Sequence, residues 1–208
     1  MITAIINART TSERLFKKHL YKIGNKTILE HIIDKLRTVK KIDKIYFATS
    51  SKKKNLEYIK FLKSKYKKNI NFFYFSKEND VTGRIHNLAK KIKTNYTLTI
   101  SGDCPLIDTK YIDRIYKKLS ENPKYDFIYP KIDLMGPPKN TVSFTGYHRH
   151  PSEIYKGIQG GIQIASTKLL RDELLGINTK LNLLGGYDND ISRRAHLKGY
   201  EIKNVDKE

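Results

Sequence analysis

Thr3-Ala4-Ile5-Ile6, the polar and basic Asn7-Ala8-Arg9-Thr10-Thr11-Ser12-Glu13-Arg14-Leu15-Phe16-Lys17-Lys18, and then Thr27-Ile28-Leu29-Glu30-His31-Ile32-Ile33-Asp34-Lys35-Leu36 form the stretch that decides the fold. The first four residues are an apolar run of strand length. In the last segment Ile28, Leu29, Ile32, Ile33 and Leu36 fall at helical spacing, and Thr27 with Glu30 three residues on predicts a capping box. A buried strand, a loop and an amphipathic helix open a parallel sheet.

The alternation continues along the chain. Ile45-Tyr46-Phe47-Ala48 reads as a strand, Leu56, Ile59, Phe61 and Leu62 as a helix, and Ile70 to Phe75 as the next strand. Asp80 caps a helix with Val81, Ile85, Leu88, Ala89 and Ile92 inward, and Tyr96 to Ile100 is a strand that stops at Ser101-Gly102-Asp103. A helix over Thr109 to Leu119 and a strand at Phe127 to Tyr129 follow. Repeated βαβ units imply an α/β fold, a mostly parallel Rossmann-like sheet with helices on both faces. After Pro130 the grammar changes: Met135-Gly136-Pro137-Pro138 breaks any element, and the stretch to His150 reads as a lid, an acceptor segment or a disordered loop. A strand at Gly161 to Ala165, a helix from Thr167, a Gly185-Gly186 turn, a helix from about Asp188 to Leu197 and a strand at Tyr200 to Val205 complete the chain.

The 208 residues suit a single domain. One cysteine, Cys104, cannot form an internal disulfide and reads as a small residue packed beside a turn. The sequence shows neither a leader nor an apolar run of about 18 residues, so a cytoplasmic protein without a transmembrane segment is expected. The formal charge of +20 raises nucleic-acid binding. The lysines are spread in pairs and a triplet, with no zinc-finger, helix-turn-helix or aromatic RNA-binding pattern, so no nucleic acid is expected as a partner. General attraction to anionic substrates or surfaces fits better.

Ligands of open parallel sheets bind beyond the carboxyl ends of the strands, which directs attention to the loops after Ile6 and Ile100. The first gathers two arginines, two lysines and three hydroxyls, suited to a phosphate chain or to plain solvation. Asp103, at a strand end, suits a divalent cation, and Asp108, just before a helix, reads as its N-cap.

The first loop resembles the Ala-Arg-x-Gly-Ser-x-Arg-Leu-Pro-x-Lys signature of sugar cytidylyltransferases, in particular the acylneuraminate and spore-coat polysaccharide types. Ala8, Arg9, Ser12, Arg14, Leu15 and Lys18 match it; Thr11 stands in place of Gly and Phe16 in place of Pro, and Glu13 adds a negative charge. Ser101-Gly102-Asp103-Cys104-Pro105-Leu106-Ile107-Asp108 resembles the family's Gly-Asp-x-Pro-Leu-Ile-Asp, and Asp80-Val81-Thr82-Gly83-Arg84 its Asp-Val-Leu-x-Arg. The resemblance implies a nucleotidyltransferase fold of the GT-A type, with residues 1–130 as the nucleotide-binding half and 131–208 as the acceptor half. It implies CTP and a sugar or sugar acid as substrates, Mg2+ or Mn2+ as cofactor, and a homodimer. Arg9, Lys18, Asp103 and Asp188 would be catalytic, with Asp103 and Asp188 holding the metal. Ala8, Arg9, Ser12, Arg14, Lys18, Asp80, Arg84 and Gly102 would line the nucleotide site. For Arg84 an exposed position on a capped helix is the plainer alternative.

The C-terminal segment Gly186-Tyr187-Asp188-Asn189-Asp190-Ile191-Ser192-Arg193-Arg194, with Lys198-Gly199-Tyr200 after it and Gly160-Gly161 upstream, resembles inverting GT-A glycosyltransferases, in which Asp188 would be a base. His148, Arg149 and His150 could form an anion site or lie solvated. The expected reaction is therefore cytidylyl transfer from CTP with release of pyrophosphate, in polysaccharide or glycoconjugate synthesis. A metal-dependent glycosyltransferase and a degenerate nucleotide-binding protein are the alternatives.

Overall fold

The computed structural model of the protein describes residues 1–11, 15–121, 125–130, 162–172 and 201–205. In chain order these form β1 (Ile2–Asn7), β2 (Lys22–Ile23), β3 (Lys26–Thr27), α1 (Ile28–Thr38), β4 (Ile42–Thr49), α2 (Leu56–Tyr66), β5 (Asn71–Tyr74), α3 (Val81–Ala89), β6 (Tyr96–Ser101), α4 (Thr109–Glu121), β7 (Tyr125–Pro130), β8 (Ile162–Ser166), α5 (Thr167–Asp172) and β9 (Glu201–Val205).

Strand side chains alternate between the two faces of a sheet, and in β1 Ile2, Ala4 and Ile6 point one way while Thr3 and Ile5 point the other; all are buried. A strand with no polar face belongs at the centre of a parallel sheet, and β1 lies there, paired in parallel with β4 and with β6. The seven-stranded order is β5-β4-β1-β6-β8-β7-β9. All pairings are parallel except those of β8, which runs antiparallel between β6 and β7. The expected mostly parallel α/β sheet is what is found. The inserted antiparallel strand was not foreseen, because an apolar run carries no sign of its direction. The short hairpin β2–β3, turned at Gly24 with φ of 62°, was also not foreseen: its strands are two residues each, too short to show a period.

Ile2, Ala4, Ile6, Phe47, Leu98 and Ile100 share one buried cluster with Leu29, Ile32, Ile33 and Leu36 of α1, Tyr58, Leu62 and Tyr66 of α2, and Ile112, Ile115 and Leu119 of α4. Ile85, Leu88 and Ala89 of α3 are buried apart from that cluster, and α3 packs on α5. Helices therefore cover both faces. In α2 the inward stripe is Tyr58, Ile59, Leu62 and Tyr66, whereas Leu56 is exposed. The tyrosines bury their rings and keep a hydroxyl bonded, Tyr66 donating to Asp34 Oδ1 at 3.0 Å.

The caps explain where the helices begin. Thr27 Oγ1 accepts from the Glu30 N–H at 3.2 Å while Glu30 Oε2 accepts from the Thr27 N–H at 2.6 Å, the expected capping box. Burial raises the Glu30 carboxyl, but the Lys65 ammonium and the Thr27 bonds outweigh it and bring it down to about 2. Asp80 Oδ1 accepts from the Gly83 N–H at 2.6 Å, and Asp108 Oδ1 from the Lys110 N–H at 2.9 Å, so both act as N-caps. No helix among the described residues is long and apolar enough to cross a membrane. The expected turn at Gly185-Gly186, the helix from Asp188 and the 131–160 segment, with His148, Arg149 and His150, lie outside the described residues, as do Ser12, Glu13, Arg14, Gly160, Gly161, Tyr187 and Asp188.

Candidate active site

From β1 the chain winds outward through β4 to β5, then returns to lay β6 on the other side of β1, so neighbouring loops diverge between the ends of β1 and β6. Such a switch point opens a crevice at the carboxyl edge of the sheet. Asn7 and Ser101 are register partners there, and each leads directly into one of the two loops singled out by the sequence.

The two loops touch. Gly102 donates its N–H to the Asn7 carbonyl at 2.8 Å, and a Cβ on Gly102 would stand 2.6 Å from the Ala8 methyl and 3.0 Å from both the Asn7 oxygen and His19 Cδ2. Only glycine allows this approach. Ala8 and Gly102 are thus packed against each other where the two loops leave the sheet. Above them, Lys18 reaches Asp103 in an ion pair through Oδ2, while Ser101 Oγ donates to Oδ1. Burial alone raises the Asp103 carboxyl, but the bonds from Lys18 and Ser101 outweigh it and hold the group below the usual carboxylate range. Beside it burial pushes the Cys104 thiol up to about 11, which leaves an unreactive, partly buried side chain.

The first loop is held from three sides. The Thr10 N–H donates to Asn55 Oδ1 at 2.8 Å and its hydroxyl to the Lys54 carbonyl at 2.7 Å; Asn55 Nδ2 bonds Ser50 Oγ at 2.8 Å. Farther along, Lys17 adopts left-handed backbone (φ 51°, ψ 26°), turning the chain so that its N–H returns to the Thr10 carbonyl at 3.2 Å. His19 is buried, with Nδ1 3.0 Å from the Tyr58 hydroxyl and the two rings edge to face. Burial first, and then the Lys18 charge, lower its pKa to about 4, so it is neutral near pH 7.

Arg9 turns away from Asp103 toward the chain after β5. Its Nη1 donates to the Glu78 carbonyl at 3.4 Å and to Asn79 Oδ1, and lies 3.9 Å from Glu78 Oε1. Lys54 Nζ bonds Glu78 Oε2 at 2.6 Å. Arg84 is 1% exposed, which overturns the exposed alternative; its Nη2 donates to the Glu78 carbonyl at 2.8 Å. Burial and then the neighbouring Arg9 charge lower its pKa to about 10, against the opposing pull of Asp80 and Glu78.

The structure thus brings Ala8, Arg9, Lys18, Asp80, Arg84, Gly102 and Asp103 to one edge of the sheet. Sequence reasoning missed Asn55, Glu78, Asn79, His19 and Tyr58, which hold the loops in place. The described residues contain no cluster of three or more His, Cys, Asp or Glu. A cation at Asp103 would therefore have one carboxylate from them, with the rest of its shell open to phosphate oxygens and water. That donor set suits Mg2+, which usually takes one or two carboxylates together with substrate phosphates. A buried hydroxyl without a partner among the described residues, Thr11 Oγ1, also remains in the first loop, free to meet an anionic oxygen.

The model of the family described as Cytidylyltransferase matches residues 3–160, a span that contains both loops and the strands β4, β5 and β6. The chain belongs to the cytidylyltransferase family. Among its relatives, an uncharacterised protein of Methanocaldococcus jannaschii is 34% identical over 143 residues, 69% of this chain and 57% of that protein. A 3-deoxy-manno-octulosonate cytidylyltransferase of Rickettsia bellii is 28% identical over 139 residues, 64% of this chain and 53% of the relative. The chain spans about half the length of the curated relatives it matches. Solved structures share its fold. A cytidylyltransferase from Leptospira borgpetersenii superposes over 100% of this chain and 76% of its own, with a TM-score of 0.71 at 17% identity. A CMP:2-keto-3-deoxy-manno-octonic acid synthetase complexed with CTP covers 99% of this chain and 89% of its own, with a TM-score of 0.67 at 13% identity.

Proposed function

We propose that the protein transfers the cytidylyl group of CTP to a hydroxyl of a sugar or sugar acid and releases pyrophosphate. The observation that carries this reading is the meeting of Lys18 and Asp103 across the switch point, a phosphate-seeking cation and a cation-seeking carboxylate on facing loops. In the reaction the acceptor oxygen attacks the α-phosphorus in line, the bond to the β-phosphate oxygen breaks, and its electron pair leaves with pyrophosphate. The acceptor proton passes to water, and Asp188 is the candidate second carboxylate for the metal; under glycosyl transfer it would instead be the base. Asp103 would hold Mg2+ or Mn2+, which when bound would supply positive charge to offset that of the phosphates. Lys18 and Arg9, joined by Ser12 and Arg14 of the same loop, would hold the β- and γ-phosphates. Ala8 and Gly102 would line the pocket, and the Asp80-capped start of α3 closes its side. Catalysis of this kind is positioning and charge stabilisation, with no covalent intermediate. Residues 131–208 would supply the acceptor side, and a cytoplasmic homodimer in polysaccharide or glycoconjugate synthesis suits the reading.

A coupled pyrophosphate assay with CTP, Mg2+ and a panel of sugar acids including 3-deoxy-manno-octulosonate tests it. The wild-type chain should release pyrophosphate, and Asp103→Asn should lose at least about a hundredfold in kcat while its stability changes by less than about 1 kcal/mol, as expected for a partly exposed ion pair. Transfer of sugar from a nucleotide-sugar without pyrophosphate release would replace this reading by glycosyl transfer. Unchanged turnover in Asp103→Asn would remove that carboxylate from the mechanism.

A further inference from the structure

We propose that Arg84 is a positioning residue that acts through the Glu78 carbonyl on Arg9, with the turn from Glu78 to Asp80 as the backing that fixes the plane of the Arg9 guanidinium. The inference rests on the reading of Arg9 as a phosphate contact.

A fully buried guanidinium is costly unless its donors are used and its charge is answered. Arg84 is buried to 1% exposure, yet Nη2 bonds a backbone carbonyl, not a carboxylate, and Nε has no partner among the described residues. Packing alone would favour an aliphatic side chain at this position in α3. The use of the charge becomes plain at the other end of the bond. The Glu78 oxygen that accepts from Arg84 at 2.8 Å also accepts from Arg9 at 3.4 Å. Asn79 Oδ1 accepts from the same Arg9 Nη1. On the outside of the turn, the Glu78 carboxylate holds Lys54 at 2.6 Å and stands 3.9 Å from Arg9. At its end the Asp80 carboxylate is committed to the Gly83 N–H at 2.6 Å, and a Cβ on Gly83 would stand 2.4 Å from it.

The turn is thereby fixed from inside by Arg84, from outside by Lys54 and at its end by the helix cap. Both hydrogen bonds of Arg9 to the turn are made by Nη1. A planar guanidinium can be held by one nitrogen and present the others in a set direction, which a lysine could not do. Without Arg84 the carbonyl loses its interior anchor, and Arg9 loses the fixed acceptor that sets its plane.

Calorimetric titration of the full chain with CTP and with CMP, each with Mg2+, tests the inference, because only CTP carries the phosphates Arg9 would meet. Arg9→Ala should weaken CTP binding about tenfold and change CMP binding less than about twofold. Arg84→Lys should weaken CTP binding about three- to tenfold, again sparing CMP, and should add nothing in the Arg9→Ala background. Asn79→Ala should behave likewise, and Asn79→Asp, which keeps the accepting oxygen, should restore CTP binding. Should Arg84→Lys fail to fold, Arg84→Gln keeps an amide N–H for the carbonyl, and the Asn79 pair reads the turn independently. Equal weakening of CTP and CMP by Arg84→Lys, or losses that add in the double variant, would overturn the inference alone. An Arg9→Ala variant with an unchanged CTP to CMP ratio would overturn the phosphate reading of Arg9 and the inference with it.

Discussion

Lys17 sits between two demands that only its backbone can reconcile. The loop must return its N–H to the Thr10 carbonyl, and the next residue must turn its ammonium toward Asp103. Left-handed backbone at φ 51° meets both, at the steric cost any residue with a Cβ carries there. The Lys17 side chain gives little back: its ammonium pairs with half-exposed Glu57 and lies 5.0 Å from the Phe16 ring centre. Relief of about 1–2 kcal/mol of left-handed strain, less about 0.4–1 kcal/mol for the freer unfolded chain, means Lys17→Gly should stabilise the protein by about 0.5–1 kcal/mol and raise Tm by about 2 °C. Differential scanning calorimetry reads this directly, and a lower Tm would show that the side-chain contacts outweigh the backbone strain. The same scale shows what could be read in advance. The place of Asp103 at the carboxyl edge of the sheet was legible because it follows directly on the apolar run of β6. The burial of Arg84 was not, since nothing in Asp80-Val81-Thr82-Gly83-Arg84 says that a carbonyl waits inside the preceding turn.

At the scale of elements, the short 3-10 turn over Lys18–Leu20 is fastened to α2 by the bond between His19 and Tyr58. His19 binds a proton more weakly in the folded protein, near pH 4, than in the unfolded chain, near 6.5. Between those values the unfolded chain takes up more protons, so its contribution to stability is complete above about pH 6.5 and is lost as the pH falls toward 4. Urea midpoints at about pH 7.5, 6 and 5 should fall steadily in the wild type and more gently in His19→Gln. Identical slopes would show that the imidazole titrates normally in the fold. Glu30, also depressed, acts only at lower pH and does not confuse this window. Among the described residues α1, α3 and α4 were legible from their period and caps, because a cap and an apolar stripe are local. The residues that join elements were not: Asn55 reaches back to Thr10, and Tyr58 to His19, over 45 and 39 positions of chain. Such contacts leave no periodic trace in a single sequence.

For the whole molecule, the repeated strand and helix pattern was enough to show a parallel sheet, while the place of β8 was not, because strand order beyond the regular half depends on which edge remains to be covered. That place bears on how the chain is made. Synthesis delivers β1, β4, β5 and β6 first, and one side of β6 then has open backbone donors and acceptors until residues 162–166 arrive. Among the described residues β7 pairs only with β8 and β9, both later in the chain. A fragment ending at residue 130 should therefore keep helical content by circular dichroism but self-associate in size-exclusion chromatography, since an unblunted sheet edge recruits other strands. A monomeric fragment with cooperative unfolding would contradict this. A nascent chain passes through the same state before its sheet closes, exposed during translation on the flank of β6 that leads into Asp103.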